Sequence, residues 1–346
     1  MIKRKILLVF LSVLLIGGVT QAQKQYGAYC IAFYNVENLF DTVDDPDNPG
    51  DDEYTPSGSY AWTPEKYQKK LDNIAYVINK LGKEVTPAGP AIVGLAEVEN
   101  RVVIEDLVKN KQIADKNYQV VHYDSPDWRG IDVGLIYNPS LFEMTHSAVH
   151  VYHHPDKPNM KTRDQLVVSG ILAGEPVHVI VAHWPSRYGG KGSDNREVAA
   201  GIANEIADSL YQIDPAAKVI LMGDLNDDPA DRSTRVIMNA KRDEKEVKPQ
   251  GWFNTMWKLH DQGIGSLAYQ DKWNLFDQII VSHALLGKDY STLKFWKAEV
   301  FNRDFLLQKE GKKKGYPLRT FSGTTFLNGY SDHFPTLIYL LKEINR

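Results

Sequence analysis

Five polar motifs lie at the ends of apolar, strand-like segments of the sequence. Strand ends are where the sheets of α/β proteins present side chains to a ligand. A carboxylate directly beside a buried strand is unfavourable unless it is paired or binds a cation. The recurrence of such groups therefore indicates a site rather than isolated structural residues. The motifs are Asn35-Val-Glu37, Glu97, His183, Asp224-Leu-Asn226 and Ser331-Asp-His333.

The side chains of these motifs are mostly hard oxygen ligands. Taken singly, each motif is weak evidence, because an Asp-x-Asn is usually a turn and a lone histidine at a strand end usually has a structural role. Together they suit Mg²⁺, Mn²⁺ or Ca²⁺, whereas zinc and copper would need more histidine or cysteine. Asp224 and Asn226 are two residues apart, so in an extended strand they would point the same way. The only cysteine, Cys30, lies in a strand-like segment and is expected to be buried, which leaves no strong nucleophile among the motifs.

The elements that must position these motifs are strands interleaved with two clear helices. Thr63 is expected to cap a helix that has Pro64 in its first turn. Asp194 is expected to cap a second helix, in which Val198, Ile202, Ile206 and Leu210 recur every four residues and form one buried stripe. Hairpins mixed with βα units predict two sheets packed face to face with helices outside. Strands are predicted at 29–36, 91–95, 118–122, 132–137, 166–172, 177–182, 218–222, 278–281 and 336–341.

The first residues have the pattern of a secretory signal. Lys3, Arg4 and Lys5 precede an apolar run from 6 to 19, and residues 20–22 offer a small-residue cleavage site. The run is short for a membrane span, although an uncleaved anchor is the alternative. We therefore predict a signal peptide at 1–22, a single catalytic domain at 23–346, and export to the periplasm or the outside. No stable membrane anchor is expected after cleavage.

The charge of the chain is mildly acidic. The formal net charge is −4, and loss of the three basic residues of the signal would make it −7. An acidic surface argues against tight, sequence-blind binding of duplex DNA, which needs a broad cationic surface. The segment 44–53 is especially acidic, but the twelfth position counted from Asp45 is Pro56, where a calcium-binding hand needs Glu. That segment is predicted to be a solvated loop.

The sequence resembles the endonuclease/exonuclease/phosphatase superfamily over nearly the whole of residues 23–346. The resemblance implies a DNase I-like α/β fold, a four-layer α/β/β/α sandwich in which two mixed sheets pack face to face with helices outside. It depends on seven motifs in the order of the family. They are Phe33-Tyr-Asn-Val-Glu-Asn38, Leu95-Ala-Glu-Val-Glu-Asn100, Arg129-Gly-Ile-Asp-Val-Gly-Leu-Ile-Tyr137, Ala182-His-Trp-Pro-Ser-Arg187, Gly223-Asp-Leu-Asn226, Phe276-Asp-Gln-Ile-Ile-Val-Ser282 and Ser331-Asp-His-Phe334.

The resemblance also implies a set of metal ligands. Glu97 matches the carboxylate that binds the main metal ion, and Asn35 matches an Asn that helps to hold metal and phosphate. Asp332 matches a carboxylate at or beside the metal, and Glu37 stands where other members carry a second acidic metal contact. The expected cofactor is a divalent cation, Mg²⁺ first, with Mn²⁺ or Ca²⁺ as alternatives. Ala96 departs from the family, because many members have Gln at that place.

The catalytic residues implied by the resemblance include two histidines. His333 matches the histidine beside the scissile phosphate, and Asp277 matches the carboxylate that orients it. His183 matches a second histidine, for which Asp132 is the expected orienting carboxylate. Which histidine is the acid and which the base stays open, and Asp224 is another candidate base. Asp224 and Asn226 match the pair that positions water and phosphate, while Arg129 and Arg187 lie where they could clamp phosphate oxygens.

The reaction implied is hydrolysis of a phosphate ester by in-line attack of water, without a covalent intermediate. The leading hypothesis is a secreted, metal-dependent phosphodiesterase acting on nucleic acid as an endonuclease or exonuclease. The alternative is a phosphatase or a phosphoesterase acting on phospholipid head groups or inositol phosphates. A non-catalytic binding module is a distant third, because none of the expected site positions is lost. A monomer without an obligate protein partner is expected.

Overall fold

The structure of the protein is a computed structural model that describes residues 24–187 and 193–344. The predicted signal at 1–22 lies outside the described residues. Within the part of the chain that is described, no helix is both long enough and apolar enough to cross a membrane.

Two six-stranded mixed sheets form the centre of the molecule, and strands are numbered along the chain. In spatial order, the first sheet contains β13 (Lys294–Val300), β16 (Thr336–Ile344), β1 (Gln25–Leu39), β2 (Ile92–Val98), β4 (Asp132–Tyr137) and β3 (Gln119–His122). The second contains β5 (Phe142–His150), β6 (Gln165–Leu172), β7 (Glu175–His183), β8 (Val219–Asp224), β12 (Asp277–Ser282) and β9 (Trp252–Asn254). The pairs β1–β2 and β7–β8 are parallel, and the other neighbours are antiparallel.

Within the described residues, two short hairpins and four α-helices complete the fold. The hairpins pair β10 (Leu267–Tyr269) with β11 (Lys272–Asn274) and β14 (Phe321–Ser322) with β15 (Thr325–Phe326). The helices are α1 (Pro64–Lys80), α2 (Arg101–Lys109), α3 (Asp194–Ile213) and α4 (Trp257–Asp261). The predicted sandwich of two mixed sheets is confirmed, and each of the nine predicted strands corresponds to a strand of these two sheets.

Side chains of the central strands alternate between the space separating the sheets and the outer, helix-covered faces. On β7, Val179 and Val181 belong to the core shared with the first sheet, whereas Ile180 packs under α3. Gly94 of β2 meets Met222 of β8 so closely that a Cβ at Gly94 would lie 2.5 Å from the Met222 sulfur. The sheets can approach there because Gly94 has no side chain. The same alternation directs the last residues of β7 and β8 toward the cleft between the sheets.

The two predicted helices are present, and one of their two predicted caps is shifted by one residue. Thr63 accepts a hydrogen bond from the Lys66 backbone N–H at the start of α1. The second predicted helix begins at Asp194, and Ser193 takes the cap position. Its predicted stripe is wrong in part, because the buried face uses small residues that let the helix lie close to the sheet. The buried apolar residues of α3 are Ala199, Ala200, Ala203, Ile206, Ala207 and Tyr211, while Val198, Ile202 and Leu210 are half-buried beside them.

Several elements were not predicted from the sequence. β5 and β13 each lie at an edge of a sheet, where the outer face stays solvated and the apolar pattern is weak. α2 begins after Asn100, which caps it by accepting from the Val103 backbone N–H. Ile104 of α2 packs on Gly134 of β4, which places this helix on the outer face of the first sheet.

Candidate active site

The predicted site residues meet where the ends of several strands of both sheets come together. Asp224, the last residue of β8, is in register with His183 on β7 and with Asp277 on β12. All three continue the inward-facing alternation of their strands, so they line the edge of the intersheet space. Asn35 of β1 and His333, just before β16, reach the same place from the first sheet. The fold therefore converts five separated sequence motifs into one cleft.

Two hydrogen bonds join the sheets at this cleft. Asn35 Nδ2 donates to Asp224 Oδ2 over 3.0 Å. His333 Nδ1 lies 2.7 Å from Asp277 Oδ2, and His333 Nε2 lies 3.9 Å from Asp224 Oδ2. Nitrogen and oxygen atoms of Asp224, Asp277 and His333 all lie within 4.8 Å of one another. Because each bond links residues from different sheets, the constellation depends on the packing of the whole sandwich.

The environment of His333 favours its charged form. Burial lowers its pKa, but the negative charges of Asp277, Asp224 and Asp332, with the hydrogen bond to Asp277, outweigh burial and raise the pKa of His333 well above its usual value. Asp277 has no solvent exposure, and Ser266 Oγ also donates to its Oδ2. Asp277 therefore fixes the orientation of His333, as predicted from the sequence.

Asp224 is a buried carboxylate with an unusual affinity for protons. Burial raises the pKa of Asp224 to about 6, with His333 opposing this and Asp277 adding to it. Its second oxygen, Oδ1, accepts from the Asn226 backbone N–H over 3.0 Å. Asn226 has a positive φ of 51°, so the chain turns here. The expectation that the two side chains point the same way from an extended strand is wrong. Asn226 instead donates through Nδ2 to the Trp184 carbonyl oxygen.

His183 is buried beside Asp224 and is not paired with Asp132. Its Nε2 lies 3.7 Å from Asp224 Oδ2, and no hydrogen-bond partner for its buried Nδ1 occurs among the described residues. Burial, with Arg163 and Arg129 nearby, lowers the pKa of His183 well below its usual value. Asp132 binds His122 Nε2 over 3.0 Å, because β3 is the strand next to β4 whereas His183 belongs to the other sheet. The predicted pairing of Asp132 with His183 is therefore wrong.

Glu97 lies at a break in β2, beside a break in β1. The φ angles of Glu97, Glu37 and Asn38 are 62°, 53° and 50°, and the β1–β2 and β2–β4 registers shift at these places. Non-glycine residues held in this region cost roughly 1–3 kcal/mol each, and such strain concentrates at functional sites. Glu97 Oε2 accepts from the Asn38 backbone N–H over 3.1 Å. Arg129 Nη2 lies 3.3 Å from Glu97 Oε1 and donates to Asn38 Oδ1 over 2.7 Å.

Glu37 anchors a segment of the chain through both of its carboxylate oxygens. Its Oε1 accepts from Arg319 Nε over 2.9 Å, and its Oε2 accepts from the Thr320 backbone N–H over 2.6 Å. Arg319 Nη2 also donates to Asp332 Oδ2 over 2.9 Å. Glu37 was predicted as a second acidic metal contact, but both of its oxygens have these protein partners. Asp332 keeps about a third of its side chain exposed, at 34%.

Lys70 of α1 was not singled out in the sequence. It is buried, and its Nζ donates to Thr320 Oγ1 and to the Tyr330 carbonyl oxygen. Burial lowers the pKa of Lys70 to about 8, with the negative charge of Glu37, 3.9 Å away, opposing that shift. The sequence did carry a signal, because Lys70 lies four residues before Ile74 on the buried stripe of α1. No comparable local signal marks Arg319.

The two predicted phosphate clamps have protein partners. Arg187 donates through Nε to the Asn226 carbonyl oxygen and through Nη2 to Asp227 and Asp231. Its guanidinium also lies 4.5 Å from the centre of the Phe276 ring. These contacts give Arg187 the role of fixing the loop after β8, and they do not support the predicted clamp. Arg129 remains 31% exposed next to Glu97, so it borders the cleft.

The donor set fits a hard divalent cation. Glu97, Asp332 and Asn35 offer carboxylate or amide oxygens, and no thiolate is near. The negative charge of Glu97 reaches Asp224, whose pKa it helps to raise. Several carboxylates therefore share this region with the cationic side chains of Lys70, Arg129 and Arg319. The carboxylates belong to Glu37, Glu97, Asp224, Asp277 and Asp332.

A large acidic groove is lined in part by Trp128 and Gly130, the residues on either side of Arg129 in the chain. It has a volume of about 830 Å³. Trp128, with 70% of its surface exposed, separates this groove from a second cavity of about 430 Å³. Burial raises the pKa of Glu99 in this groove to about 8, and the charges of Asp41, Asp51 and Asp45 add to the shift. The acidic residues that line the groove are Asp41, Asp45, Asp47, Glu99, Asp124, Asp127 and Asp132.

Comparisons with known proteins agree with this architecture. A model of the endonuclease/exonuclease/phosphatase family matches residues 30–342. A sequence search of curated proteins finds no match. Similar solved structures include a protein of this family from Bacteroides thetaiotaomicron, with TM-score 0.55, 16% identity and coverage of 92% of this chain and 100% of that chain.

Two further solved structures have the same fold. D. rerio TDP2 complexed with a single-strand DNA product has TM-score 0.54 and 13% identity, covering 90% of this chain and 98% of that chain. A mannosyl-6-phosphatase from Bacteroides thetaiotaomicron has TM-score 0.53 and 15% identity, covering 90% of this chain and 99% of that chain. At these identities the likeness concerns the fold.

Proposed function

The chain belongs to the endonuclease/exonuclease/phosphatase family, and we propose that it is a divalent-cation-dependent hydrolase of phosphate esters with water as the nucleophile. The observation that carries this proposal is the pair of hydrogen bonds across the cleft, Asn35 to Asp224 and His333 to Asp277. They bring a carboxylate and an oriented imidazole to one place, which acid–base catalysis requires. A cation held by Glu97, Asp332 and Asn35 would supply neutralisation of charge on the phosphoryl oxygens.

Different residues carry out the two proton transfers of the proposed reaction. His333, charged at neutral pH, donates the proton of Nε2 to the leaving oxygen as the bond from that oxygen to phosphorus breaks. Asp224, held by Asn35 and by the backbone of Asn226, orients the attacking water and accepts its proton as the new phosphorus–oxygen bond forms. His183, neutral because of burial, is the second candidate for that base.

The substrate class is the finer part of the proposal. Nucleic acid was the leading hypothesis from the sequence, and a small phosphate ester was the alternative. A small phosphate ester is favoured by a specific observation, the acidic groove beside Arg129, because its carboxylates would repel the long polyanionic backbone of a nucleic acid. We therefore place a compact monoester or diester ahead of duplex DNA.

A substrate panel tests both parts of this proposal. The protein would be assayed with Mg²⁺, Mn²⁺ and Ca²⁺ on plasmid, single-stranded DNA, RNA, sphingomyelin, inositol phosphates, sugar phosphates and a generic diester. Asp224→Ala serves as the control for contaminating hydrolases. We expect the wild type to hydrolyse at least one small ester that Asp224→Ala does not hydrolyse. Absence of any activity above the variant would contradict hydrolase function, and efficient plasmid nicking alone would contradict the preference for small esters.

Export and oligomeric state are also proposals. We propose that residues 1–22 are removed and that the protein acts as a monomer in the periplasm or outside the cell, without a membrane anchor. Support comes from the basic and apolar pattern of those residues. N-terminal sequencing should find Gln23 as the first residue of protein recovered from cells, and light scattering should give the monomer mass. A chain that retains residues 1–22 in a membrane fraction would contradict this.

A further inference from the structure

The acidic loop after β1 has three carboxylates gathered at one point. Oxygen atoms of Asp44, Asp51 and Asp52 all lie within 4.8 Å of one another. Within the described ranges of the chain, no lysine or arginine forms an ion pair with any of the three. Carboxylates this close repel one another, weakly in water and more where they are buried, and a cation between them would remove that repulsion.

Asp51 gives an independent reason to expect a ligand here. The sequence predicted a solvated loop, yet Asp51 is only 2% exposed. Its Oδ2 accepts from the Asp45 backbone N–H over 2.8 Å. Its Oδ1 is buried and has no hydrogen-bond partner among the residues that the structure describes. A buried carboxylate oxygen without a proton donor is costly, and a bound cation removes that cost.

The loop rests directly on the segment that carries Arg129. A Cβ added at Gly50 would lie 2.1 Å from the Arg129 carbonyl oxygen, and one added at Gly130 would lie 2.0 Å from Asn48 Nδ2. At Gly50 the two backbones therefore touch, whereas at Gly130 the backbone meets the side-chain amide of Asn48, and glycine permits both approaches because it has no side chain. Since Arg129 in turn contacts Glu97 and Asn38, the position of the loop bears on the cleft.

We propose that Asp44, Asp51 and Asp52 bind a structural divalent cation of the calcium class, separate from the cation of the active site. Calcium accepts six to eight oxygen ligands in flexible geometry, which an irregular loop can supply, whereas magnesium demands a regular octahedron. The site is not a calcium-binding hand, since Pro56 stands where that motif has Glu. The bound ion fixes the loop against Arg129 and Gly130. This inference does not depend on the proposed hydrolase activity.

Calcium and terbium binding test the proposal. The pair Asp44→Asn and Asp52→Asn removes two exposed carboxylates of the cluster, so folding should be preserved. The matched control is Asp47→Asn with Glu53→Gln, which removes the same charge from exposed residues of the same loop. Binding is measured by calorimetry with Ca²⁺ and by Tb³⁺ luminescence excited through Tyr54, two residues after Asp52.

We expect the cluster variant to bind Ca²⁺ at least about 10-fold more weakly at this site than the wild type and the control do, since affinity follows the number of charged ligands. Calcium should raise the melting temperature of the wild type and of the control, but not that of the cluster variant. Any Ca²⁺ bound at the active site contributes equally to both double variants, so it does not affect the difference between them. Equal Ca²⁺ and Tb³⁺ affinities in the two double variants would overturn the proposal.

Asp51→Asn provides a second test of the buried ligand. The amide keeps an oxygen that can accept from the Asp45 backbone N–H, so the turn is retained. We expect loss of the Tb³⁺ signal together with a melting temperature in EDTA equal to or above that of the wild type, because the uncompensated buried charge is gone. An unchanged Tb³⁺ signal in Asp51→Asn would contradict the proposal.

Discussion

At the scale of single residues, the cleft gives its two histidines different charge states. His333 lies against Asp277 and faces Asp224, whereas His183 has Arg163 and Arg129 nearby. Both imidazoles lie near Asp224. The charge of Asp277 and its hydrogen bond outweigh burial and raise the pKa of His333, whereas burial lowers the pKa of His183. One site can thus obtain an acid and a base at the same pH.

Removing either central group should abolish turnover without unfolding the protein. We predict that His333→Ala and Asp224→Ala each lower kcat by at least about 10²-fold, the low end for loss of an acid–base group. The melting temperature of Asp224→Ala should change little, because burial already disfavours the charge of Asp224 in the folded state. The measurement is kcat on the best substrate of the panel with a thermal melt of each variant. Wild-type turnover in both variants would refute the assigned roles.

The charge of His333 should also appear in the pH dependence of stability. Its folded pKa is raised above the unfolded value of about 6.5. Protonation therefore favours the folded state, and this stabilisation is complete below about pH 6.5 and is lost as pH rises through the folded pKa. Asp277→Asn should lower the pKa of His333. We expect NMR titration in EDTA to find His333 protonated at pH 7.5 in the wild type. A wild-type midpoint near 6.5 would contradict the electrostatic argument.

Local sequence predicted which residues meet but not all of their partners. The resemblance to the family implied that Asp277 pairs with His333, and this pairing is present. Asp132 binds His122 instead of His183, and Arg187 binds the loop after β8 instead of facing the cleft. These partners depend on which strands are neighbours in three dimensions, and a strand pattern along the chain does not contain that information.

At the scale of elements, the ends of β1 and β2 are held in strained conformations. Glu97 has a φ of 62°, where alanine is disfavoured and glycine is not. The strain lies in the strand that presents the expected metal ligand, which is consistent with strain being tolerated where function requires a particular direction.

Two substitutions that remove the Glu97 carboxylate distinguish the effect of backbone strain from the loss of a metal ligand. Glu97→Ala and Glu97→Gly both remove the carboxylate, so both should lose cation-dependent activity. The glycine variant should nonetheless be more stable than the alanine variant by about 1 kcal/mol, the reverse of the usual order in regular structure. Urea unfolding in EDTA measures the difference. If the alanine variant is as stable as the glycine variant, then Glu97 is not strained.

The helix α1 contributes to the site through Lys70. We predict that Lys70→Ala lowers the free energy of unfolding by at least about 2 kcal/mol, because it empties a buried position and removes one cation from beside Glu37. Lys69→Ala, on the exposed face of the same helix, should change it by no more than about 0.5 kcal/mol. Urea unfolding of both variants is the measurement, and equal effects would contradict a buried role for Lys70.

At the scale of the whole molecule, both sheets supply the cleft. The sandwich was predictable because the central strands are apolar and alternate, whereas the edge strands β5 and β13 were missed because they are half solvated. The sequence pattern could not predict the order of strands in each sheet, because that order depends on long-range pairing such as β1 with β16.

Removal of divalent cations should abolish the proposed activity. We expect EDTA to abolish activity and Mg²⁺ or Mn²⁺ to restore it, because the convergent carboxylates need a cation to hold a phosphate beside them. The assay is the best substrate of the panel before and after chelation, with a melt to exclude unfolding. Full activity after exhaustive chelation would rule out the cation requirement.

The pairing of β1 with β16 joins parts of the chain that a ribosome makes far apart in time. Asn35 emerges early, but His333 and the strand that holds it beside β1 emerge some 300 residues later. A nascent chain therefore contains Asn35 before it contains His333, and the proposed site is incomplete until β16 has been made. The last strand of the first sheet to be synthesised is therefore one that the proposed site requires, because β16 pairs with β1 and follows His333 directly.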